Sequence, residues 1–199
     1  MEKALVPYKP KHVRRQPHYE VKRRIARIGY LNEDDYLSLI NAVNHPEHRL
    51  IIRILWETGL RVSELLTLRI DNVYQDGLNI IGKGSVQRFV PCQTPLLIEI
   101  NGYYQGYPHP DRFILQKIKT EPGVLLMLRQ LGQKAGIDKR LYPHLFRHSF
   151  AINFLRQTNN AFALQDILGH STMEHTKVYL RLAMAELPKE AIQRMQFLR

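Results

Sequence analysis

The 199-residue sequence lacks the features that would place it in a membrane or in an oxidising compartment. Its single cysteine, Cys92, cannot form an internal disulfide, and no apolar run approaches the roughly 18 residues of a membrane span. The basic N-terminus has no apolar segment of the kind that a secretory signal needs. We therefore expect a protein of the cytoplasm with no membrane partner.

Acidic residues are also scarce, because 18 Asp and Glu stand against 29 Lys and Arg, a formal charge of +11. Residues 1–30 hold nine of the basic side chains and only two acidic ones. Such a block is typical of an arm that binds nucleic acid, although a solvated tail or a surface for anionic lipid has the same composition. In this arm we predict phosphate contacts by Lys9, Lys11, Arg14, Arg15, Arg23 and Arg24.

The remaining sequence has the apolar periodicity of one mainly helical domain. Asn32 is expected to cap the first clear helix, Pro46 to begin the second and Gly59 to end it. Further helices are predicted over residues 62–68, 96–104, 122–135, 143–157, 161–168 and 173–182. Two short β-type runs, 77–81 and 88–91, flank a glycine-rich turn and predict an antiparallel hairpin.

Six residues suited to phosphoryl transfer stand in short motifs over the last two thirds of the sequence: Arg61, Lys83, His144, Arg147, His170 and Tyr179. The first lies in Thr-Gly-Leu-Arg-Val-Ser-Glu-Leu and the second in Gly-Lys-Gly. The next two form His-x-x-Arg after a proline. The fifth closes Leu-Gly-His, and the tyrosine follows nine residues later.

These residue types suit a phosphodiester, which gains negative charge on its oxygens when it is attacked. A catalyst without a metal must supply fixed cationic donors there, and the fork of an arginine can hold two oxygens. Arg61 and Arg147 could therefore clamp one phosphate, and His144 would share a helix face with Arg147. Taken singly, each motif also fits a polar helix face, a turn lysine or a helix-end histidine. His144 and His148 have the spacing of half a metal site, but the sequence has no His-Glu-x-x-His, so we predict no metal.

The order of these motifs resembles the tyrosine recombinases, the lambda-integrase-like family of site-specific DNA recombinases, over residues 30–182. The resemblance implies a mainly α catalytic domain with a small antiparallel sheet, which cuts and rejoins DNA through a 3′-phosphotyrosine without a cofactor. It implies that Tyr179 is the nucleophile and that Lys83 protonates the departing 5′ oxygen. The arginines and histidines of the other motifs would bind the phosphate.

The resemblance also assigns two supporting residues. Glu64 resembles the accessory carboxylate of the family and would orient Arg61 or a histidine. Arg88 follows the glycine-rich turn in a motif similar to the family's hairpin, which implies DNA contact. His148 falls outside the family's catalytic set.

By this resemblance the chain comprises a basic flexible arm over 1–29, the catalytic domain over 30–182 and a tail over 183–199. The tail would be exchanged between the four protomers assembled on double-stranded DNA, or would pack on its own domain. The family's helical core-binding domain, roughly a hundred residues long, has no counterpart in this arm. That suits a minimal member or a piece of a longer recombinase. Integration, excision, inversion and resolution stay open, as do a type IB topoisomerase and a catalytically silent DNA-binding regulator.

Overall fold

The computed structural model describes residues 29–82 and 86–185. The predicted arm, Lys83 and residues 186–199 of the predicted tail lie outside these residues. The helices in chain order are α1 Glu33–Ala42, α2 Pro46–Thr58, α3 Val62–Leu66, α4 Thr94–Gly106, α5 Glu121–Lys134, α6 Pro143–Thr158, α7 Ala161–Leu168 and α8 Met173–Ala185. The strands are β1 Gly77–Ile81 and β2 Gln87–Pro91. Among the described residues, no helix is long and apolar enough to cross a membrane.

Local capping chemistry sets the ends of the first two helices, as the sequence predicts. Asn32 Oδ1 accepts from the Asp35 backbone N–H at 2.8 Å, and Asp35 Oδ2 accepts from the Asn32 N–H at 2.9 Å. This reciprocal pair satisfies two amides that a helix N-terminus leaves without partners. Pro46 lies in the first turn of α2, and Gly59 ends that helix with a positive φ of 62°. A side chain at Gly59 would also meet the Phe150 ring at 2.5 Å, so the position needs glycine for packing as well.

The two strands form the predicted antiparallel hairpin, with Leu78 paired to Val90 and Ile81 to Gln87. Leu78 and Val90 face the core and are fully buried, whereas Ile81 and Phe89 on the other face are exposed. The Gly82 N–H donates to the Val86 carbonyl at 2.8 Å and closes the base of the turn. The hairpin is therefore firmly anchored up to Gly82 and again from Val86 onward.

The core has two parts, and α6 contributes to both of them. Leu145 and Phe146 near its start pack with α1–α5 and the hairpin, whereas Ala151, Ile152 and Leu155 pack with α7 and α8. Fully burying one such leucine or phenylalanine contributes roughly 1.5–3 kcal/mol. Because α6 is held from both sides, the polar residues of its first turns have fixed positions between the two parts of the core.

A buried carboxylate, Glu47, ties a long connection to α2. It is fully buried and accepts from the Tyr103 hydroxyl at 2.6 Å and from the backbone N–H groups of Gln116, Lys117 and Ile118 at 2.8–3.1 Å. Burial by itself would raise the pKa of this carboxyl, but the hydrogen bonds from Tyr103 and the amides lower it below its ordinary value. Glu47 thus accepts the hydrogen bonds that these backbone amides would otherwise make with water, in a loop that has little regular structure of its own.

The third helix is shorter than the prediction of residues 62–68, because it ends at Leu66. The Thr67 hydroxyl donates to the carbonyls of Ser63 and Glu64, and the Leu68 carbonyl accepts from the Ile114 N–H at 3.0 Å. The Leu68 carbonyl is therefore not available for the hydrogen bond that a further turn of this helix would need. The fourth helix, in contrast, is longer than the prediction of residues 96–104 and spans Thr94–Gly106.

Candidate active site

A cavity of about 380 Å³ lies where α6 meets the start of α3 and the α7–α8 connection. Five of the six predicted catalytic residues line it: Arg61, His144, Arg147, His170 and Tyr179. The sixth, Lys83, lies outside the described residues. His148 and His175 line the same cavity, although the sequence analysis did not select them. The fold therefore brings side chains separated by more than a hundred positions to one place.

Arg147 lies deepest in this group, with only 3% of its surface exposed. Its guanidinium donates to the Gly59 carbonyl at 2.8 Å and to the Leu168 carbonyl at 2.6 Å, at the C-terminal ends of α2 and α7. Carbonyls at helix C-termini carry partial negative charge, so they stabilise a buried cation. Burial and the nearby charge of Arg61 lower the pKa of Arg147 to about 10, which leaves it protonated at neutral pH. An arginine has five N–H donors, so others are left for an anion.

Arg61 lies at the N-terminus of α3 with its side chain 39% exposed, in contrast to Arg147. The Glu64 carboxylate accepts from the Arg61 backbone N–H at 2.8 Å and from its guanidinium at 2.9 Å. One acidic side chain thus caps the helix and restrains the arginine. That Glu64 orients Arg61 stays a prediction.

Arg88 approaches the same carboxylate from the hairpin. Its two terminal nitrogens donate to the two oxygens of Glu64 at 2.8 Å each, and its Nε donates to the Ile167 carbonyl at 2.7 Å. Burial alone would raise the pKa of Glu64, but the hydrogen bonds from Arg88 and Arg61 lower it to about 2. The side chain of Arg88 is only 11% exposed. DNA contact by Arg88 stays a prediction, and its guanidinium points into the protein.

Gly169 explains the local form of the Leu-Gly-His motif. It ends α7 with a φ of 63°, a conformation that favours glycine. A Cβ at this position would lie 3.0–3.3 Å from three atoms of the Arg88 side chain. The glycine therefore reverses the chain and lets Arg88 pass beneath the turn, which directs His170 into the cavity.

His170 is held from two directions after this turn. Its backbone N–H donates to the Gln165 carbonyl at 3.0 Å, and its Nδ1 lies 3.0 Å from the hydroxyl of Thr176. Burial, followed by the charges of Arg147 and Arg61, lowers the pKa of His170 to about 4. The ring is therefore neutral at neutral pH.

Tyr179 on α8 points into the cavity of its own chain, with 7% of its surface exposed. Its hydroxyl lies 2.8 Å from His148 Nδ1, and its ring stacks on that of His170 with centroids 6.2 Å apart. Burial raises the pKa of the phenol, although Arg147 and Arg61 act to lower it. The phenol is therefore protonated at neutral pH and needs a proton acceptor before it can attack.

His148 supplies such an acceptor. Burial and the nearby His144 and Arg147 lower its pKa to about 4, so its ring is neutral, and in the tautomer with hydrogen on Nε2 its Nδ1 accepts from the phenol. The sequence analysis left His148 out of the catalytic set, and only its position one turn after His144 marked it. Its contact with Tyr179 spans 31 residues and depends on how α6 packs against α8.

Comparison with known proteins places this geometry in a family. A family model described as the phage integrase family matches residues 29–186. The chain belongs to the phage integrase family. Tyrosine recombinase XerA of Pyrococcus furiosus is 34% identical to this family member over 180 residues, which cover 84% of the chain and 62% of XerA. The chain therefore spans less than two thirds of that relative.

Solved structures show the same fold. The crystal structure of a XerA recombinase superposes with a TM-score of 0.70 at 28% identity, covering 84% of this integrase-family chain and 63% of that chain. The catalytic domain of bacteriophage HP1 integrase superposes with a TM-score of 0.63 at 28% identity, covering 84% of this chain and 95% of that domain. The chain has the fold of a tyrosine recombinase catalytic domain, as the sequence motifs predicted.

Proposed function

We propose that this chain carries the catalytic site of a site-specific DNA recombinase that cuts and rejoins DNA strands through a 3′-phosphotyrosyl link. One observation carries the proposal. A tyrosine hydroxyl, a neutral imidazole 2.8 Å from it and two arginines share one cavity. The named activities of XerA and HP1 integrase, a tyrosine recombinase and an integrase, agree with it.

The cavity would hold the scissile phosphate between the two arginines. Arg61 is the more exposed of the pair and Arg147 the more rigid, so one can adjust to the ligand while the other defines its position. His144 and His170 line the same space and would donate to the phosphate oxygens. Such fixed donors stabilise charge that develops during phosphoryl transfer.

The chemical step then moves two protons, one from the attacking oxygen and one to the departing oxygen. The Tyr179 oxygen attacks phosphorus while its proton passes to His148 Nδ1, and the P–O5′ bond breaks. Lys83 donates a proton to the departing 5′ oxygen. The 5′ hydroxyl of a partner strand reverses these steps, so the bond energy is kept in the phosphotyrosine and no nucleotide is consumed.

A second cavity gives this step access to a large ligand. It has a volume of about 1050 Å³ and shares Arg61 and His170 with the first. Gly82 and Val86, which flank residues 83–85, line it as well. Because Lys83 directly follows Gly82 in the sequence, this arrangement supports its role as the acid.

Duplex DNA is the substrate in this proposal, and exchange between two duplexes requires four protomers. The basic arm, through Lys9, Lys11, Arg14, Arg15, Arg23 and Arg24, would follow the phosphates on the far side of the duplex. The predicted tail of residues 183–199 would pack on a neighbouring protomer only beyond the end of α8 at Ala185, because Ala183 packs in its own core, and it would couple the activities of the subunits. A cytoplasmic location suits this activity.

A suicide duplex tests the nucleophile. Tyr179→Phe removes only the hydroxyl, so we expect folding and DNA binding to persist while the covalent adduct disappears from a denaturing gel. Tyr74→Phe is the matched control, because Tyr74 is exposed and does not line the cavity. A persistent adduct in the Tyr179 variant would refute the assignment.

The acid is tested with a duplex that carries sulfur at the 5′ bridging position. Sulfur leaves with little protonation, so Lys83→Ala should cleave this duplex at close to the wild-type rate while it cleaves the normal duplex slowly. Arg147→Ala removes charge stabilisation and should stay slow on both duplexes. Equal rescue of the two variants would contradict this division of roles.

The products distinguish the remaining functions. Joined strands from two duplexes indicate recombination, whereas relaxation of a supercoiled circle without recombinant products indicates a type IB topoisomerase. The absence of any adduct from the wild-type chain, with specific DNA binding retained, indicates a silent regulator.

A further inference from the structure

Thr176 is a polar residue of the fold that the catalytic scheme does not use. Its side chain is fully buried, and its hydroxyl lies 3.0 Å from His170 Nδ1. Within the described residues this is the only hydrogen bond of that hydroxyl. Thr176 and Tyr179 lie three positions apart on one face of α8, and Tyr179 lines the cavity.

The direction of this hydrogen bond follows from the donors and acceptors on each side. A neutral imidazole carries hydrogen on one nitrogen and accepts through the other, whereas a hydroxyl has one hydrogen to place. If Nδ1 carried the hydrogen, the Thr176 hydroxyl would accept it, and its own hydrogen would have no acceptor among the described residues. A buried donor without a partner is unfavourable. The hydroxyl therefore donates to Nδ1, and the hydrogen of the ring lies on Nε2.

The charged groups around His170 keep the ring in this neutral form. Arg147, Arg61 and Arg88 all lie near it, as does His175, whose ring approaches it edge-on at 5.7 Å. Burial and the charges of the three arginines oppose a second proton on the imidazole. The ring is thus neutral, and the choice between its two tautomers decides whether it can donate to a ligand.

We propose that Thr176 is a positioning residue that holds His170 as the Nε2–H tautomer, so that Nε2 donates to a phosphate oxygen in the cavity. This inference rests on the proposed recombinase function. His148 carries the complementary role. Its Nδ1 accepts from Tyr179, so one imidazole of the cavity receives a proton while the other donates a hydrogen bond.

The test compares Thr176→Val with Thr176→Ser in the full chain. Valine fills nearly the same volume without the hydroxyl, and serine restores the hydroxyl. Thr158→Val is the matched control, because it removes a helix threonine hydroxyl, which donates to the Phe154 carbonyl, on an exposed surface away from the cavity. Long-range ¹⁵N–¹H spectra of the histidine rings report the tautomer, and a His170→Gln sample identifies the resonances of His170.

We expect the Nε2–H tautomer in the wild type, in Thr176→Ser and in the control. Thr176→Val should populate the Nδ1–H form and cleave a suicide duplex roughly five- to tenfold more slowly, with unchanged DNA affinity. An unaltered tautomer and an unaltered cleavage rate in Thr176→Val would overturn the inference. If Thr176→Val does not fold, Thr176→Ala is measured in the same way. A wild type that forms no adduct would refute the recombinase function, while the ring spectra would still decide the tautomer.

Discussion

The guanidinium of Arg88 and the carboxylate of Glu64 meet in a two-point hydrogen bond, with both N–O distances 2.8 Å. The same carboxylate holds Arg61, and Arg88 also holds the Ile167 carbonyl at the end of α7. The ion pair of Arg88 and Glu64 therefore joins the hairpin both to Arg61 and to the end of α7, which leads into His170. Because both side chains are largely buried, the loss of either leaves the other charge poorly compensated.

Arg88→Ala should destabilise the fold by about 3–5 kcal/mol, the usual effect of removing one partner from a buried ion pair. In the double variant with Glu64→Ala, the loss should be smaller than the sum of the two single losses. Urea unfolding of the four proteins measures this coupling. Arg112→Ala, which breaks an exposed pair with Asp71, serves as the control and should change little. Additive losses at Arg88 and Glu64 would argue against the coupling.

Arg88→Lys and Arg88→Ala together separate an inward structural role from the predicted DNA contact. Lysine keeps the charge but not the planar fork, so the bond to Glu64 should weaken. If Arg88 acts only inside the protein, truncation to alanine leaves the dependence of DNA affinity on salt unchanged. A slope that falls by about one unit in Arg88→Ala would show a phosphate contact.

Acid should remove the contribution of Glu64 to stability. Its pKa of about 2 lies below the ordinary value of 4.5, so the contribution is complete above pH 4.5 and is lost as the pH falls toward 2. The difference corresponds to about 3 kcal/mol at most. Glu64→Gln should be less stable than wild type at neutral pH, and the two stabilities should converge in acid. A constant gap across this range would contradict the prediction.

His148→Ala should slow cleavage by about 10²–10⁴-fold at neutral pH and change the pH profile. With its pKa of about 4, His148 is neutral throughout the neutral range, so the wild-type single-turnover rate should be flat from about pH 5.5 to 8. Without this acceptor the rate should follow the phenolate of Tyr179, whose pKa burial raises, and should increase about tenfold per pH unit.

His109→Ala is the control for the His148 experiment, because this histidine does not line the cavity. It should keep the wild-type rate and the flat profile. A flat profile in His148→Ala would mean that another group accepts the proton.

Glu47→Gln should destabilise the fold by roughly 2–4 kcal/mol, because the amide turns a donor toward a cluster of N–H and O–H donors. Tyr103→Phe removes one of these donors and should have a smaller effect. Thermal and urea unfolding give the stability, and cleavage per folded molecule should stay unchanged, since Glu47 lies outside the cavity. Lost cleavage in a fully folded Glu47→Gln protein would contradict this purely structural role.

Deletion of residues 1–28 should weaken DNA binding mainly through electrostatics. If the arm neutralises roughly four phosphates, the log-affinity versus log-salt slope should fall by about 3 to 4 units. Sequence preference should change less, because phosphate contacts position a protein without reading bases. Salt titrations of residues 1–199 and 29–199 make the comparison, and equal slopes would show that the arm does not bind DNA.

The sequence by itself determines the elements whose causes are local. Asn32 caps α1, Pro46 and Gly59 delimit α2, and the two strands pair on either side of residues 83–85, because dihedral preferences and nearby hydrogen bonds act over a few residues. The order of the motifs also indicates the family and five residues of the cavity. These features need no knowledge of which surfaces pack together.

The tertiary structure alone decides the partners of the buried polar groups. His148 and Tyr179 are 31 positions apart in the sequence. The four donors around Glu47 lie 56 to 71 positions from it, and the two partners of Arg88 lie 24 and 79 positions from it. A buried polar group must find its hydrogen bonds wherever the packed chain offers them, and spacing along the sequence does not encode that choice. Even Thr176 and His170, six positions apart, face each other only because Gly169 turns the chain between α7 and α8.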